Sequence, residues 1–156
     1  MPLASKRLGV AVGSGLLAAV LGLVSASEGF RTHAYRDPVG IPTICSGVTA
    51  GVQMGDVRTP AECSALVAGE IAKAVQIVRR CIVVPLNDNQ TAAFADAAYN
   101  IGPSVVCGST LQRKANSGDL TGACNELLKW VYAGGQKLKG LVIRRQRERE
   151  LCLMPV

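Results

Sequence analysis

The sequence predicts a mainly helical α+β fold with one small β-hairpin in its N-terminal part. From residue 59 onward, apolar side chains recur at three- and four-residue intervals, which is the period of helices buried on one side. Residues 37–48 instead combine turn-forming pairs with short β-branched runs, a pattern typical of a hairpin. An uncharged apolar stretch of 20 residues, 8–27, precedes both and predicts a further helix.

Capping residues and glycine or proline predict where each later helix begins and ends. Thr59-Pro60-Ala61-Glu62 is a capping box with proline at the first helical position. Other starts are predicted where a capping side chain precedes an apolar run, and other ends where glycine or proline follows one. The predicted helices are 60–80, a second from Asn87 or Asp88 to Ile101, a short one from Ser109 or Thr110 to Ser117, one from Asp119 to Tyr132, and a last one over 139–151.

The composition limits both the core and the partners. At 156 residues the chain holds one domain, or one domain with an appendage, and since only 4% of its residues are aromatic, its core must consist of Leu, Val, Ile and Ala. The net charge of +6 suits an anionic partner such as nucleic acid, anionic lipid or the bacterial wall. The sequence lacks zinc-finger spacings, RNP-type aromatic runs and glycine-rich phosphate loops, which argues against nucleic acid.

Two acidic residues flank the junction between the first helix and the hairpin. Glu28 is the first acidic residue of the chain, Asp37 is the second, and the next is Asp56. Glycoside hydrolysis needs one carboxylic acid to protonate the leaving oxygen and one ionised carboxylate to direct water or stabilise positive charge. His33 lies between them, but nothing pairs it with a nucleophile, and we expect it to be solvated.

The segment EGFRTHAYRDPVGIPTICSGVT, residues 28–49, resembles the catalytic signature of the phage-type lysozymes, glycoside hydrolase family 24. The family triad has the spacing Glu-x8-Asp-x5-Thr, which Glu28, Asp37 and Thr43 match. Similar blocks follow as TPAEC, AAYNIG, STLQRKANSGD and WVYAGGQKLKGLVIRRQRE, so the resemblance covers nearly the whole chain after residue 27. The family's usual TIGYGHT reads TICSGVT here, which changes the cleft wall beside the triad.

The resemblance implies a lysozyme-like domain over residues 28–156 without a cofactor. Its implied activity is that of a phage endolysin: a muramidase that hydrolyses the β-1,4 bond between N-acetylmuramic acid and N-acetylglucosamine in peptidoglycan and lyses the host. Glu28 would be the general acid, Asp37 the ionised carboxylate, and Thr43 the residue that positions water. The alternatives are a lytic transglycosylase, which uses one acid and leaves a 1,6-anhydro sugar, and a wall-binding module without chemistry.

Further site residues follow from the same resemblance. It implies that Asn100 lines the cleft and binds sugar, and that Arg144 or Arg145 approaches Glu28 from the far lobe. Without the resemblance, an asparagine near a helix C-terminus is equally typical of a structural role. Most of the last helix reads as a solvated, salt-bridged face, and the single tryptophan, Trp130, reads as a core residue.

The N-terminal segment predicts contact with a membrane. Lys6 and Arg7 precede the apolar stretch and would keep the N-terminus in the cytoplasm. Of the 20 residues in 8–27, 11 are Gly, Ala or Ser, so insertion is marginal and reversible. A cleaved signal peptide ending near Val24-Ser25-Ala26 and a permanent anchor are alternatives.

The same segment resembles the signal-arrest-release (SAR) element of certain phage endolysins. That resemblance implies an uncleaved segment 1–27, exported by the host Sec machinery, held in the inner membrane and then released to the periplasm as a monomer. Glu28 lies one residue past the span and, while tethered, would sit at the lipid headgroups. Docking of the released segment as a helix would then bring Glu28 toward Asp37.

The cysteine pattern indicates an oxidising compartment. The chain has an even number of cysteines in a small domain with a membrane-targeting start. No two are closer than 17 positions apart, which argues against zinc, whose ligands usually come in close pairs. Six cysteines allow 15 pairings. Bridging between sequence neighbours, and the cysteine positions of related endolysins, favour 45–63, 81–107 and 124–152 among Cys45, Cys63, Cys81, Cys107, Cys124 and Cys152.

Overall fold

The computed structural model describes residues 12–156, with the side chain of Glu28 excepted, and shows a mainly helical α+β fold. The helices are α1 (Ser14–Glu28), α2 (Pro60–Cys81), α3 (Asp88–Ile101), α4 (Thr110–Asn116), α5 (Leu120–Glu126) and α6 (Lys139–Leu153). The strands are β1 (Arg31–Arg36), β2 (Pro42–Cys45), β3 (Tyr132–Ala133) and β4 (Gln136–Lys137). They form two antiparallel pairs, β1–β2 and β3–β4.

Capping interactions begin the helices where the sequence predicts. The Thr59 hydroxyl accepts a hydrogen bond from the Glu62 backbone N–H, and the Glu62 carboxylate accepts one from the Thr59 N–H. These hydrogen bonds hold the pKa of Glu62 below its usual value. Asn87 and Gln90 form the same reciprocal pair at the start of α3. At the start of α2 and of α3, a capping box therefore satisfies the N–H of the cap residue and one N–H of the first turn.

Helix α3 is the central element of the core. Residues 91–98 are all buried, and most of them are alanines around Phe94. Because alanine has little side-chain volume, α1, α2 and α6 can pack closely against this helix on different sides. The core is aliphatic and alanine-rich, as the composition predicts.

Helix α1 packs on α3 through a narrow apolar stripe. Leu16, Val20 and Val24 recur every four residues and are 2%, 0% and 0% exposed. The guanidinium of Arg147 on α6 donates a hydrogen bond to the Ala26 carbonyl near the end of α1, at 3.2 Å. Within residues 12–156 no helix is both long and apolar enough to cross a membrane. Lys6, Arg7 and the first residues of the predicted span 8–27 lie outside the described residues.

The first hairpin begins earlier than predicted. It runs from Arg31 to Cys45, with Tyr35 opposite Thr43, and Asp37 lies at its tip instead of at its start. The sequence prediction was wrong here because β1, RTHAYR, has almost no apolar residues to mark a strand.

Helix α5 is shorter than predicted, since the sequence predicted one helix from Asp119 to Tyr132. The helix stops at Glu126, one turn of 3₁₀ helix follows, and β3 and β4 form a small hairpin. Gly134 and Gly135 make its two-residue turn with φ of 56° and 75°. Two successive positive φ values are what a type I′ turn requires, and glycine adopts them readily.

Three disulfides tie the described part of the chain together: Cys45–Cys63, Cys81–Cys107 and Cys124–Cys152. This pairing confirms the one favoured from the sequence. The first bridge joins the end of β2 to the first turn of α2, and the last joins α5 to α6.

Candidate active site

Asp37 is held in a fixed orientation at the tip of the β1–β2 hairpin. Its Oδ1 accepts hydrogen bonds from the backbone N–H groups of Val39, at 3.0 Å, and Ile41, at 2.8 Å. The Asp37 N–H in turn donates to the Ile41 carbonyl at 3.0 Å. Among the described residues, none donates a hydrogen bond to Oδ2. The turn therefore orients the carboxylate through one oxygen and leaves the other for water or substrate.

Thr43 lies on the returning strand and shares a partner with Asp37. Its side chain is 3% exposed, and its hydroxyl donates to the Ile41 carbonyl at 2.9 Å. Ile41 therefore binds Asp37 through its N–H and Thr43 through its carbonyl. Because the Thr43 hydroxyl already donates its hydrogen bond to Ile41, its oxygen can only accept further hydrogen bonds.

Glu28 is the last residue of α1, and its side chain lies outside the described part of the structure. Gly29 follows it with φ of 69°, a left-handed conformation that glycine adopts without steric cost. Strand β1 begins two residues later, at Arg31. The backbone therefore passes from the end of α1 directly into the hairpin that carries Asp37 and Thr43.

Ser46 connects three separate parts of the chain. Its hydroxyl donates to the Gly29 carbonyl at 2.8 Å. Its own carbonyl accepts from the Tyr99 hydroxyl on α3 at 2.6 Å. Ser46 is 5% exposed, and both hydrogen bonds are partly buried. Sequence reasoning missed this arrangement because its partners are 17 and 53 positions away, and only the departure from TIGYGHT marked the segment.

Arg144 forms a buried ion pair. Its Nε and Nη2 donate to the two carboxylate oxygens of Asp96 at 2.9 and 2.7 Å, and the residues are 4% and 0% exposed. Such bidentate pairing uses the planar fork of the guanidinium. The prediction of a solvated face was therefore wrong for this part of α6, because Asp96 supplies a carboxylate within α3.

Arg145 joins Asn100 to Glu148. Its Nη2 donates to the Asn100 amide oxygen at 2.8 Å and to Glu148 Oε1 at 2.6 Å. Arg145 and Glu148 are both fully buried, again against the prediction, whereas Arg147 on the same helix is exposed. The structure thus brings Asn100 and Arg145 together, and their roles toward substrate stay predictions. Trp130 is half-buried and packs against the core, as expected.

The sequence profile of the phage lysozyme family matches residues 25–148. The chain belongs to the phage lysozyme family. The matched range includes Glu28, Asp37 and Thr43. This phage lysozyme is 46% identical, over 147 residues, to the SAR-endolysin of Pseudomonas phage phiKMV, with 92% of this chain and 91% of that relative covered.

Two solved structures of one endolysin differ in their likeness to this phage lysozyme. The active form of the P1 phage endolysin Lyz has a TM-score of 0.80 at 30% identity, covering 86% of this chain and 83% of that one. The secreted inactive form has a TM-score of 0.61 at 25% identity, covering 86% and 93%. The fold of this phage lysozyme, with α1 packed on α3, is therefore closer to the active form.

Two buried carboxyl groups of this phage lysozyme, those of Asp96 and Glu148, are neighbours. Burial raises the pKa of Glu148 well above its usual range, and the neighbouring Asp96 carboxyl raises it further. Arg145 and Arg144 oppose this shift only in part. Burial likewise lowers the pKa of Arg145. Glu148 Oε2 has no hydrogen-bond partner within the described residues, which suits a carboxyl that retains its proton.

The stability of this phage lysozyme should depend on pH through Glu148. Because the folded-state pKa is raised, protonated Glu148 favours the fold. That contribution is complete below the unfolded pKa of about 4.3 and is lost as pH rises through the folded value. Glutamine has the same shape without the titrating proton, so Glu148→Gln should lose less stability than the parent as pH rises. Urea unfolding across a pH series measures this effect.

The matched control for this titration is Glu70→Gln. Glu70 forms a surface pair with Lys73 at 2.7 Å, and such pairs contribute little to stability. We expect its unfolding curve to follow the parent at each pH. Identical pH dependence in the parent and Glu148→Gln would contradict the raised pKa.

Proposed function

We propose that this chain is a phage endolysin that acts as a muramidase. It hydrolyses the β-1,4 bond between N-acetylmuramic acid and N-acetylglucosamine in peptidoglycan. One observation carries the proposal: the family triad is intact in sequence, and the Asp37 carboxylate is fixed by two N–H groups on the hairpin that also holds Thr43. The net charge of +6 suits an anionic wall.

Glu28 is the general acid in this proposal. It gives its proton to the glycosidic oxygen as the bond from that oxygen to the anomeric carbon breaks, and positive charge develops on the sugar. Asp37 is the ionised carboxylate, which stabilises this charge or orients the attacking water. Thr43 positions that water, since its hydroxyl already donates to Ile41 and its oxygen can accept a hydrogen bond from water. The oxygen of the water forms the new bond to the anomeric carbon, and the proton that the water loses passes to a carboxylate, either Asp37 or the deprotonated Glu28.

We also infer that release from the membrane activates the enzyme. Residues 8–27 would enter the inner membrane through the host Sec machinery, with the N-terminus in the cytoplasm, and later leave it as a periplasmic monomer. Tethering places Glu28 at the lipid headgroups, whereas a docked α1 ends at the start of the hairpin. The buried stripe on α1 and the greater likeness to the active form of the P1 endolysin support this inference.

Identification of the products tests the reaction. The purified full-length chain is incubated with purified peptidoglycan, and the soluble fragments are analysed by mass spectrometry. We expect muropeptides that end in reducing N-acetylmuramic acid. Anhydro ends would show a transglycosylase and remove the water-directing role of Asp37. A chain that binds the wall without releasing fragments would be a binding module.

A further inference from the structure

We propose that Ser46 is a positioning residue of the active site, which joins the end of α1 to the hairpin that carries Asp37. This inference rests on the proposed function, because Ser46 would hold the proposed catalytic residues Glu28, Asp37 and Thr43 at fixed positions relative to one another. We name the hydrogen-bonded set of the Gly29 carbonyl, Ser46 and the Tyr99 hydroxyl the Ser46 latch. Its members come from the end of α1, the loop after β2, and α3.

The place of the latch in the chain makes it suited to this task. Gly29 directly follows Glu28, and Ser46 lies three residues after Thr43. One 2.8 Å hydrogen bond therefore links the backbone beside the proposed acid to the loop that directly follows the strand with the proposed water-positioning hydroxyl. The β-hairpin alone does not supply this link, since its own pairing ends at Arg31 and Cys45. Small displacements at reacting groups lower rates steeply, so this link bears on turnover.

Tyr99 fixes the other side of the latch. Its hydroxyl donates to the Ser46 carbonyl at 2.6 Å from the central helix α3. Because α3 is buried over residues 91–98, it is a rigid reference for the loop after β2. Through its two hydrogen bonds, Ser46 therefore fixes Gly29 relative to α3.

Cys45 sets the direction of Ser46. It is the one non-glycine residue with positive φ, 60°, among the described residues. That conformation costs a residue with a Cβ about 1–2 kcal/mol, and the disulfide to Cys63 in α2 holds the backbone there. The usual family sequence has glycine and tyrosine at these two positions. A tyrosine hydroxyl lies at the far end of a ring and cannot take the place of Ser46 Oγ, so the latch belongs to the TICSGVT form of this segment.

Ser46→Ala tests the latch. Loss of the hydroxyl releases the Gly29 carbonyl, and we expect kcat on purified peptidoglycan to fall about tenfold with KM within about twofold of the parent. The pH profile of kcat/KM should also shift, because it reports on the acid and base of the free enzyme. Tyr99→Phe, which keeps the ring and removes the other hydrogen bond, should lower kcat in the same direction.

Ser109→Ala is the matched structural control. Ser109 is 8% exposed, and its hydroxyl also donates to a backbone carbonyl, that of Val105, at 2.7 Å. It also caps α4, so its loss should lower the Tm at least as much as Ser46→Ala. We expect Ser109→Ala to keep the parent kcat and pH profile. A parallel fall of Tm and kcat in both variants would overturn the positioning role.

Glu28→Gln, measured beside these variants, separates the two proposals. An inactive Glu28→Gln with parent-like kcat in Ser46→Ala and Tyr99→Phe would overturn the latch and leave the proposed function standing. Parent-like activity in Glu28→Gln would overturn the proposed function itself. An inactive Glu28→Gln with reduced kcat in both latch variants, and an unchanged Ser109→Ala, supports the positioning role.

Discussion

Glu28→Gln should lower the turnover of purified peptidoglycan by about 100- to 10,000-fold, the range in which general acid catalysis contributes. Glutamine keeps the size and hydrogen-bonding shape of glutamate but carries no proton to give to the leaving oxygen. The variant should bind the wall and melt close to the parent temperature. The measurement is the initial rate of release of reducing ends, with thermal melting followed by circular dichroism.

The same substitution elsewhere provides the control for Glu28→Gln. Glu70→Gln removes one carboxylate from a surface pair with Lys73 and should keep the parent rate. A Glu28→Gln variant within about tenfold of the parent rate would assign the acid role to another group. Equal losses in both variants would indicate a general effect of charge on wall binding.

Val20→Asp should remove most of the activity by releasing α1 from the domain. Burial of Leu16, Val20 and Val24 contributes about 1.5–3 kcal/mol each. The substitution forfeits one of these contributions and adds an unpaired buried carboxylate, which costs about 3–5 kcal/mol. Together these costs are as large as the whole contribution of the stripe, and docking also has to offset the loss of conformational entropy of the helix. We therefore expect the docked fraction to drop below about one tenth and activity on isolated peptidoglycan to fall at least about tenfold, at about 1.4 kcal/mol per factor of ten.

Ala18→Asp is the control for this helix. Ala18 lies on the exposed side of α1, so its replacement adds the same charge to the same helix without burial. It should keep most of the parent activity. Purified peptidoglycan is the required substrate, because a charge within residues 8–27 also changes membrane insertion in cells. Equal activity in Val20→Asp and the parent would contradict the proposal that activity requires docking of α1.

Local features of this fold were predictable, since each is encoded by residues that are close in sequence. The capping residues Thr59, Asn87, Ser109 and Asp119 begin their helices as expected. The aliphatic core and the disulfide pairs also agree with the sequence. Asp37 and Thr43 could be placed on one hairpin because only five residues separate them.

Long-range pairing explains what the sequence did not reveal. Asp96 sits in an alanine-rich helix, 48 positions from Arg144, and no local pattern marks it as the partner of a buried arginine. From the sequence, the charged residues on α6 were therefore predicted to form a solvated face. In the structure, buried and half-buried positions of α6 alternate with exposed ones. The Ser46 latch is hidden for the same reason, because a serine in a turn has many local uses.

The three disulfides close separate loops of the chain, and helix α1 lies outside all of them. All six cysteines lie at or beyond residue 45, so no disulfide holds α1. Among the described residues, α1 is held by the packing of its apolar stripe, by the Arg147–Ala26 hydrogen bond and by the short connection through Gly29 and Phe30. In this sense α1 is an intramolecular ligand of the enzyme. A short connection supplies an effective concentration of about 1 mM, and a segment with an intrinsic Kd of about 1 mM would then occupy its site half of the time. If docking of α1 is needed for activity, as proposed above, substitutions along the stripe should grade the active fraction continuously.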